Sequence, residues 1–305
     1  MAVVTVTYNS AALIEDALAD VLACEPDEVV VIDNGSSDGC AERARRIVQD
    51  SVHEGANVGF GAGCNRGVAE LRTPVDYVLF LNPDAGIDKL ALGRLVNYLD
   101  THPPVAIVGP RMMSDGIEIP SCGKVPTLAT EIHPLLPRPL RRLLPSHVTA
   151  PGVAETGEVG FVEGACFLVR LSAFLEVGGF DERYFLFFEE LDISNRLRSA
   201  GYQVHLVNEV IAQHARGASR AGVADGAQSH FWVSTWTYLR IWRGRWTADV
   251  WGATARLVWG LRVLLRLLDW ETARMWSREL GRGADGYCHQ PKLGFALGAS
   301  APGLA

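Results

Sequence analysis

The feature of this sequence that most constrains its fold is a repeated order of short apolar segment, polar loop and helix-like segment. The apolar segments are rich in β-branched residues, and the helix-like segments carry apolar residues at helical spacing. In chain order the segments are 3–6, 7–10 and 11–22, then 28–32, 33–39 and 40–48, and finally 77–81 and 82–85. Strands that alternate with helices predict an α/β fold with a mostly parallel central sheet, flanking helices and right-handed crossovers.

The polar loops of this pattern predict where a ligand binds. In a parallel sheet, the loops that follow the strands meet at one edge, and ligands bind in the crevice there. Three polar loops, at 7–10, 33–39 and 82–85, directly follow predicted strands. We therefore expect the functional residues at this edge of the sheet.

Composition argues against several classes of protein. The chain has 305 residues, 48% hydrophobic and 21% charged, which fits one large α/β domain with an elaboration or two modest domains that share a cleft. A formal net charge of −7 does not favour a nucleic-acid partner, which usually requires a basic surface. The six cysteines lack metal-site or disulfide spacing, and no charged leader precedes the first strand, so we expect a cytoplasmic protein.

The middle of the chain is less regular. Residues 111–160 are rich in proline and glycine, which favours a long, partly mobile connection near the mouth of the site. A strand is predicted over 159–170, and a short helix is predicted over 189–199 with Gly201 as its C-cap.

Two segments are candidates for holding a nucleotide. Residues 33–39 place acidic and small polar side chains directly after a strand, where a base or ribose would bind; the alternative is a turn in which Ser37 or Asp38 caps the next helix. Residues 57–67 are dense in glycine and lead into a helix, so backbone N–H groups would approach a diphosphate. Their spacing does not match the G-x-G-x-x-G of dinucleotide-binding enzymes, which removes the main support for an oxidoreductase.

One aspartate and one histidine are candidates for a metal site. Asp84, which follows Asn82 and Pro83 at a strand end, offers the oxygen ligand that hard divalent cations prefer, although such a turn also starts many helices. His214 follows a β-rich stretch and would complete a metal or diphosphate site; a structural role is the alternative.

Three carboxylates, Glu189, Glu190 and Asp192, follow the aromatic run 184–188. Repulsion and desolvation would raise a carboxylate pKa here toward the range of a general base. The alternative is an acidic first helical turn in which Asp192 pairs with Arg196. Helical geometry puts Glu190 on the apolar, inward face and leaves Glu189 and Asp192 freer to meet Arg196 or solvent.

Five motifs together resemble glycosyltransferase family 2, in particular its bacterial rhamnosyltransferase-like branch. They are Val4-Thr5-Val6-Thr7-Tyr8-Asn9-Ser10, Asp33 to Gly39, Asn57 to Asn65, Leu81 to Asp84 and Gly178 to Asp192. Each motif is weak alone, but five in the family's order over residues 3–219 are a strong signal. The resemblance implies a GT-A fold, a nucleotide-diphosphate sugar donor, a divalent metal and an inverting single displacement.

Carried over position by position, the resemblance implies a role for each site residue. Asp33 would recognise the nucleotide base, and Asp84 would hold Mg²⁺ or Mn²⁺, with His214 as the second metal candidate from its place after the β-rich stretch. Glu190 would be the base that deprotonates the acceptor hydroxyl, with Glu189 as the alternative. The residues that bind the donor would be Thr7, Tyr8, Asn9, Asp33, Asn34, Asn57, Gly59, Asn65 and Asn82.

Two positions depart from the family's pattern. Glu190 stands where aspartate is common, and its longer side chain makes the choice between Glu189 and Glu190 less clear. Asn82 stands where other GT-A enzymes carry the first aspartate of D-x-D. Metal affinity would then depend mainly on Asp84, His214 and the donor phosphates.

The expected domain organisation follows from the extent of these motifs. We expect a catalytic domain over 1–220, divided into a nucleotide-sugar half, 1–100, and an acceptor half, 101–220. A helical extension over 221–282 and a flexible tail over 283–305 would follow.

The expected extension has an unusual composition. It contains all eight tryptophans of the chain. Residues 240–282 also contain nine arginines but only four acidic residues. Indole and guanidinium groups are both stable at a membrane interface, so we expect peripheral membrane contact through 231–280. A helical cap on the catalytic domain or a homodimer interface is the alternative.

The expected function is transfer of a sugar, with rhamnose from a thymidine diphosphate donor as the first candidate. The acceptor would be a saccharide, a lipid-linked saccharide of the cell envelope or a secondary metabolite. A nucleotidyltransferase is an alternative, but the glycine-rich basic loop typical of that class is missing around 7–11. An inactive sugar-binding module is a second alternative, against which the presence of Asp84 and Glu190 argues.

Overall fold

The computed structural model describes residues 1–149, 151–152, 155–215, 224–264, 272 and 274–280. The strands are β1 (Ala2–Thr7), β2 (Glu28–Asp33), β3 (Val52–Glu54), β4 (Tyr77–Leu81), β5 (Ala85–Gly86), β6 (Val105–Ser114), β7 (Ile117–Ile119), β8 (Cys122–Gly123), β9 (Gly157–Glu158), β10 (Phe161–Val162), β11 (Cys166–Arg170) and β12 (Gln203–His214). The α-helices are α1 (Ile14–Ala23), α2 (Cys40–Val48), α3 (Phe60–Ala69), α4 (Lys89–Thr101), α5 (Leu128–Ile132), α6 (Arg138–Arg141), α7 (Leu171–Glu176), α8 (Glu189–Ser199), α9 (Ala224–Trp242) and α10 (Arg245–Leu264). Short 3₁₀ turns lie at Gln49–Ser51 and His133–Leu135.

The main sheet has the strand order β3-β2-β1-β4-β11-β6-β12-β5, with β7 beside β6 and β9 beside β12. The first four strands of this order pair in parallel, and so do β6 and β12. Strand β11 is antiparallel to both of its neighbours, β4 and β6, and β5 is antiparallel to β12. The predicted α/β class is confirmed, and the insertion of β11 makes the sheet mixed.

Helices cover both faces of this sheet. Successive residues of a strand point to opposite faces, and in β1 Val3 packs with α1 and α4 while Val4 and Val6 pack with α3 and α8. All six residues of β1 are buried. Burial on both faces explains why the first strand reads as an apolar run rather than as an alternating pattern.

Helix α3 lies close to the sheet because several of its residues are glycine. A Cβ atom at Gly67 would lie 2.3 Å from Cγ1 of Val4, and one at Gly63 would lie 2.8 Å from a valine methyl group of β1. The helix begins at Phe60, so most of the glycine-dense segment 57–67 is helix and not the loop that the sequence suggested. These glycines serve close packing.

Two other expectations differ from the structure. The segment 111–160 was expected as an irregular connection, but its described residues contain β7, β8, α5, α6 and β9. The strand expected over 159–170 is interrupted at 163–165, because β10 pairs with β8 whereas β11 joins the main sheet. The helix expected over 189–199 is confirmed.

Helices α9 and α10 confirm the predicted helical extension and have a core of their own. This core contains Leu135 and four buried tryptophans, Trp232, Trp236, Trp251 and Trp259. These indoles fill the interior of a helical cap, so they are not a membrane-facing surface. The predicted tail, 283–305, and Trp270 lie outside the described residues. No helix in the described ranges is both long and apolar enough to span a membrane.

The close approach of α3 to the sheet predicts opposite effects of alanine at two helical glycines. Gly67→Ala should lower the free energy of unfolding by about 1–3 kcal/mol, because its new methyl group would overlap a buried valine of β1. Gly93→Ala is the matched control: Gly93 lies in α4 with no atom within 4 Å of its Cβ position, so alanine should raise stability by about 0.5–1 kcal/mol. Urea unfolding of both variants measures the difference, and equal stability would contradict the packing described.

Candidate active site

The ends of β1 and β2 form the first part of the site. Thr7 lies opposite Asp33 in the parallel register, and Asn34 N donates to the Thr7 carbonyl at 2.9 Å. Asp33 is buried; its Oδ1 accepts from Ser36 N at 2.8 Å, while its Oδ2 is buried and has no hydrogen-bond partner among the described residues. A buried acceptor without a partner is costly, so Asp33 is suited to receive a ligand N–H or O–H.

Asn9 and Tyr8 extend this edge and are half-buried. Asn9 N donates to Ser36 Oγ at 2.9 Å, and Asn9 Oδ1 accepts from Ser37 N at 2.9 Å. The loop after β2 is therefore held against the loop after β1. The alternative that Ser37 or Asp38 caps α2 is wrong, because Gly39 is the N-cap residue and no side chain caps the helix; Asp38 Oδ1 accepts only from Cys40 N, at 3.1 Å.

The start of α3 differs from the expected diphosphate cradle. Phe60 N, in the first turn of α3, donates to the Phe185 carbonyl at 3.0 Å, and a Cβ atom at Gly59 would lie 2.2 Å from that same oxygen. Asn57 Oδ1 accepts from Gly59 N at 3.1 Å. Since the Phe185 backbone covers this helix end, the contacts at Gly59 and Phe60 do not support the expected approach of a diphosphate, and donor binding by Asn57 and Gly59 stays a prediction. The connection to the site is made instead by Asn34, whose Nδ2 donates to the Gly59 carbonyl at 2.9 Å.

Asn65 has its hydrogen bonds inside the protein. Its Nδ2 donates to the Phe180 carbonyl at 2.9 Å and to Glu182 at 3.1 Å, and its Oδ1 accepts from Phe180 N at 2.8 Å. Because these bonds occupy a buried amide, Asn65 fixes the segment before α8 and does not support a direct donor contact.

Asp84 and His214 are neighbours in the structure. Strand β5 is antiparallel to β12 with His214 opposite Ala85, and Nε2 of His214 lies 3.4 Å from Oδ1 of Asp84. The described residues contain no group of three or more histidine, cysteine, aspartate or glutamate side chains that could hold a metal. A divalent cation at this pair would have one carboxylate and one imidazole ligand from the protein, and donor phosphate and water oxygens would have to complete its coordination.

Glu189 and Glu190 begin α8 and point to different surroundings. Glu189 is only 4% exposed and lies beneath α3, with its Cβ 3.4 Å from the Cβ position of Gly61. Burial raises the pKa of the Glu189 carboxyl to about 7. Glu190 is half-buried, and its carboxyl carbon lies 3.9 Å from the Cβ position of Gly164.

The pKa of Glu190 is raised well above its ordinary value. Burial is the main cause, and the charges of Glu189 and Glu163 add to it. Oε2 of Glu190 is buried and makes no hydrogen bond to the described residues. A carboxylate of raised pKa that accepts no internal hydrogen bond is suited to take a proton from a substrate.

The expectation that Glu189 and Asp192 are freer than Glu190 is wrong. Asp192 is 1% exposed and accepts from Arg196 Nε at 2.7 Å and from Trp242 Nε1 at 2.8 Å. Its predicted pairing with Arg196 is confirmed. Helix α8 is enclosed by α3 and the sheet on one side and by α9 on another, so more than one of its faces is buried.

The segment before β11 joins the metal candidates to the carboxylates. Asn82 N donates to the Ala165 carbonyl at 2.9 Å, and the adjacent Gly164 lies against Glu190. The loop that carries Asp84 and the start of α8 therefore meet on either side of two small residues. Sequence reasoning did not single out Gly164 or Ala165, because their role depends on the antiparallel insertion of β11.

Two aromatic residues before α8 have strained backbone conformations. Phe187 and Phe188 have φ angles of 68° and 72°, in the left-handed region that residues other than glycine rarely adopt. Both rings pack on Phe231 of α9, at 5.8 and 5.6 Å between centroids, and Ser234 Oγ of α9 donates to the Leu186 carbonyl at 2.8 Å. The helical cap thus holds the strained turn that starts α8, a contact that the aromatic run in the sequence did not reveal.

The burial of Glu189 predicts a pH-dependent stability. Its folded pKa of about 7 lies above the ordinary value of 4.5, so the folded protein binds this proton more tightly than the unfolded chain does. Stability present at low pH should therefore be lost as the pH rises through about 7. Relative to Glu189→Gln, which cannot ionise, the wild type should lose about 2–3 kcal/mol between about pH 5 and pH 8.

Urea unfolding at several pH values measures this difference. Glu42→Gln, at an exposed position of α2, is the control for loss of a surface carboxylate and should follow the wild-type profile. If the free energy of unfolding of Glu189→Gln changes with pH in the same way as that of the wild type, the fold does not raise the pKa of Glu189 and the prediction is wrong.

Known proteins resemble this chain in sequence and in structure. The family model for Glycosyl transferase family 2 matches residues 2–177, a span that ends before α8. The chain is 32% identical over 286 residues to N-acetylglucosaminyl-diphospho-decaprenol L-rhamnosyltransferase of Mycobacterium tuberculosis, covering 87% of this chain and 90% of that protein. It is 26% identical over 220 residues to rhamnosyltransferase WbbL of Escherichia coli K12, covering 70% of this chain and 81% of that one.

A solved structure supports the fold. The mannosyltransferase PcManGT of Pyrobaculum calidifontis, in complex with GDP-Man and Mn²⁺, superposes with a TM-score of 0.50 at 17% identity, covering 93% of this chain and 84% of that one. At this identity the likeness concerns the fold alone, which is GT-A. The extent of the family match, together with the sequence identity to a curated relative over most of both chains, shows that this chain belongs to glycosyl transferase family 2.

Proposed function

We propose that this glycosyltransferase moves rhamnose from a nucleotide-diphosphate donor, thymidine diphosphate rhamnose, to a hydroxyl group of a lipid-linked saccharide, with inversion at the anomeric carbon. The observation that carries this proposal is that the loop of the Asp84–His214 pair is joined to Ala165 through Asn82 N, while Glu190 lies against the adjacent Gly164. The names of two relatives, both rhamnosyltransferases and one acting on a decaprenol-linked sugar, support the choice of donor sugar and acceptor.

The donor would bind along the ends of β1 and β2, within the first of two halves, 1–100 and 101–220, of a catalytic domain. Asp33 is the residue suited to the base, because its buried Oδ2 would gain a hydrogen bond from an N–H group of the nucleotide. Tyr8 and Asn9 are half-buried beside it and would contact the rest of the nucleoside. These contacts would orient the donor with its diphosphate toward Asp84.

Asp84 and His214 would hold the Mg²⁺ or Mn²⁺ ion. Their separation of 3.4 Å and their chemistry, one carboxylate oxygen and one imidazole nitrogen, fit two ligands of one cation. When bound, the metal would neutralise the negative charge that develops on the diphosphate leaving group. The Mn²⁺ in the PcManGT complex supports a divalent cation in an enzyme of this fold.

Glu190 would be the general base. Its carboxylate would accept the proton of the acceptor hydroxyl while the acceptor oxygen attacks the anomeric carbon and the bond to the diphosphate breaks. The raised pKa of Glu190 makes it a stronger base than an exposed glutamate and requires that it first lose its own proton. Activity should therefore rise with pH as Glu190 ionises.

Substitution at Glu190 tests the assignment of the base. Glu190→Gln should lower kcat by about 10²–10⁴-fold, the usual cost of losing a general base, while donor affinity stays nearly unchanged. Glu189→Gln is the matched control and should reduce kcat less, because Glu189 lies beneath α3. The measurement is rhamnosyl transfer to a lipid-linked acceptor, with donor affinity followed by calorimetry.

Two results would overturn this assignment. One is wild-type turnover by Glu190→Gln with a verified acceptor, and the other is a greater loss of kcat in Glu189→Gln than in Glu190→Gln. Transfer of a different sugar in a panel of nucleotide sugars would instead change the donor and leave the role of Glu190 in place.

Substitution at Asp84 tests the metal site separately. Asp84→Asn should abolish the Mn²⁺-dependent part of donor binding, because an amide does not replace the charge of a carboxylate ligand. Asp115→Asn makes the same chemical change at an exposed turn and should bind donor and Mn²⁺ as the wild type does. Unchanged calorimetric affinity of Asp84→Asn for donor with Mn²⁺ would contradict the assignment.

A further inference from the structure

Helix α10 packs into the helical cap with one face, and its opposite face is apolar and exposed. Five large apolar side chains on this helix are exposed, and the highest values are 84% for Trp246, 77% for Leu264 and 73% for Leu257. Val250 and Leu261 are exposed as well. Large apolar side chains grouped on one surface usually mark a binding site for another molecule.

These side chains form one continuous stripe. At 100° per residue, Trp246, Val250, Leu257, Leu261 and Leu264 fall within one narrow sector of the helix, which extends about 27 Å at 1.5 Å per residue. The opposite sector carries the buried residues of α10, Ala248, Trp251, Gly252, Ala255 and Trp259. We call the exposed sector the outer face of α10.

Charge beside the outer face is basic. Residues 240–264 contain five arginines and one aspartate, in a chain whose formal net charge is −7. Arg245 and Arg256 are exposed on the flank of α10 between the outer face and the buried sector, where Arg245 pairs with Asp249 at 3.4 Å. Exposed leucine and tryptophan on a helix with an excess of arginine is the pattern of a helix that lies in the plane of a membrane interface and attracts anionic lipid.

We propose that the outer face of α10 docks this protein on an anionic lipid bilayer, with the helix lying in the interface plane. This inference rests on the proposed function only in that a lipid-linked acceptor resides in such a surface. The apolar side chains of the outer face would move out of water and into the boundary between lipid headgroups and acyl chains, and the arginines would contact lipid phosphates. Among the described residues of 231–280, the indoles at 232, 236, 251 and 259 are buried, so Trp246 of the outer face would meet the lipid in their place.

Docking through α10 would also orient the reaction centre. Helix α10 packs on α9, and α9 contacts the turn before α8 through Phe231 and Ser234. The same two helices would thus connect the membrane surface to the segment that presents Glu190. Docking would therefore fix the orientation of the catalytic cleft relative to the bilayer, where the acceptor sugar is held.

Vesicle co-sedimentation of the full chain tests this proposal. The probe is vesicles of phosphatidylcholine with phosphatidylglycerol, compared with phosphatidylcholine alone at low and high salt. The wild type should bind the anionic vesicles, and high salt should weaken this binding because it screens the arginines. The double variant Leu257→Glu, Leu261→Glu should lose binding at least about tenfold, since burying two carboxylates in the interface is costly.

A matched control separates the outer face from apolar exposure in general. Leu90 is 68% exposed on α4, and Leu90→Glu should retain full vesicle binding. Near-ultraviolet circular dichroism checks that all variants keep their packed tryptophans. Vesicle binding needs neither donor nor acceptor, so a protein that binds vesicles but transfers no rhamnose would count against the proposed function alone.

Three results would overturn the proposal. They are absence of wild-type binding to anionic vesicles, unchanged binding by the double variant, and loss of binding in Leu90→Glu equal to that in the double variant. A wild-type dimer in sedimentation that becomes monomeric in the double variant, without vesicle binding, would assign the outer face to a second copy of the chain.

Discussion

The insertion of β11 between β4 and β6 is the constraint on which the site depends. Cys166 lies opposite Leu81 in the antiparallel register, so the residues just before β11 lie beside the loop just after β4. Gly164 and Ala165 occupy this position: the Ala165 carbonyl accepts a hydrogen bond from Asn82 N, and the Glu190 carboxyl lies against Gly164. A parallel strand here would direct its preceding loop to the opposite edge of the sheet and separate the two halves of the site.

The helical cap packs directly against the segment that carries the candidate base. Two consecutive residues of positive φ, Phe187 and Phe188, start α8, and such conformations cost on the order of 1 kcal/mol or more each. Aromatic packing on Phe231 and the hydrogen bond from Ser234 offset this cost. Trp242 adds a hydrogen bond to the buried carboxylate of Asp192. The cap therefore supports the geometry of the first turn of α8, where Glu189 turns beneath α3 and Glu190 lies against Gly164.

Part of the candidate site follows from local sequence. The carboxyl ends of β1, β2 and β4 carry polar loops because strands buried on both faces must end in polar turns at the surface, and this argument locates Asp33 and Asp84. His214 was a metal candidate because it follows a β-rich stretch, and the β5–β12 pairing places it beside Asp84. The helical-face argument failed for Glu189, because a single helix's apolar pattern does not report that a second helix will cover another of its faces.

What the sequence by itself determined is the alternation of strands and helices over 3–48 and the strand at 77–81, the α/β class and the family, since these depend on short-range periodicity and on motifs that are contiguous in the chain. The boundaries of β4, α2 and α8 were likewise predictable from local pattern. Only the tertiary structure decided that the glycines of 57–67 are packing residues of α3, that the α3 amino terminus is covered by Phe185, and that four of the seven tryptophans in the described residues are buried. Each of these depends on contacts between residues far apart in the chain, and such contacts leave no periodic signal in the sequence.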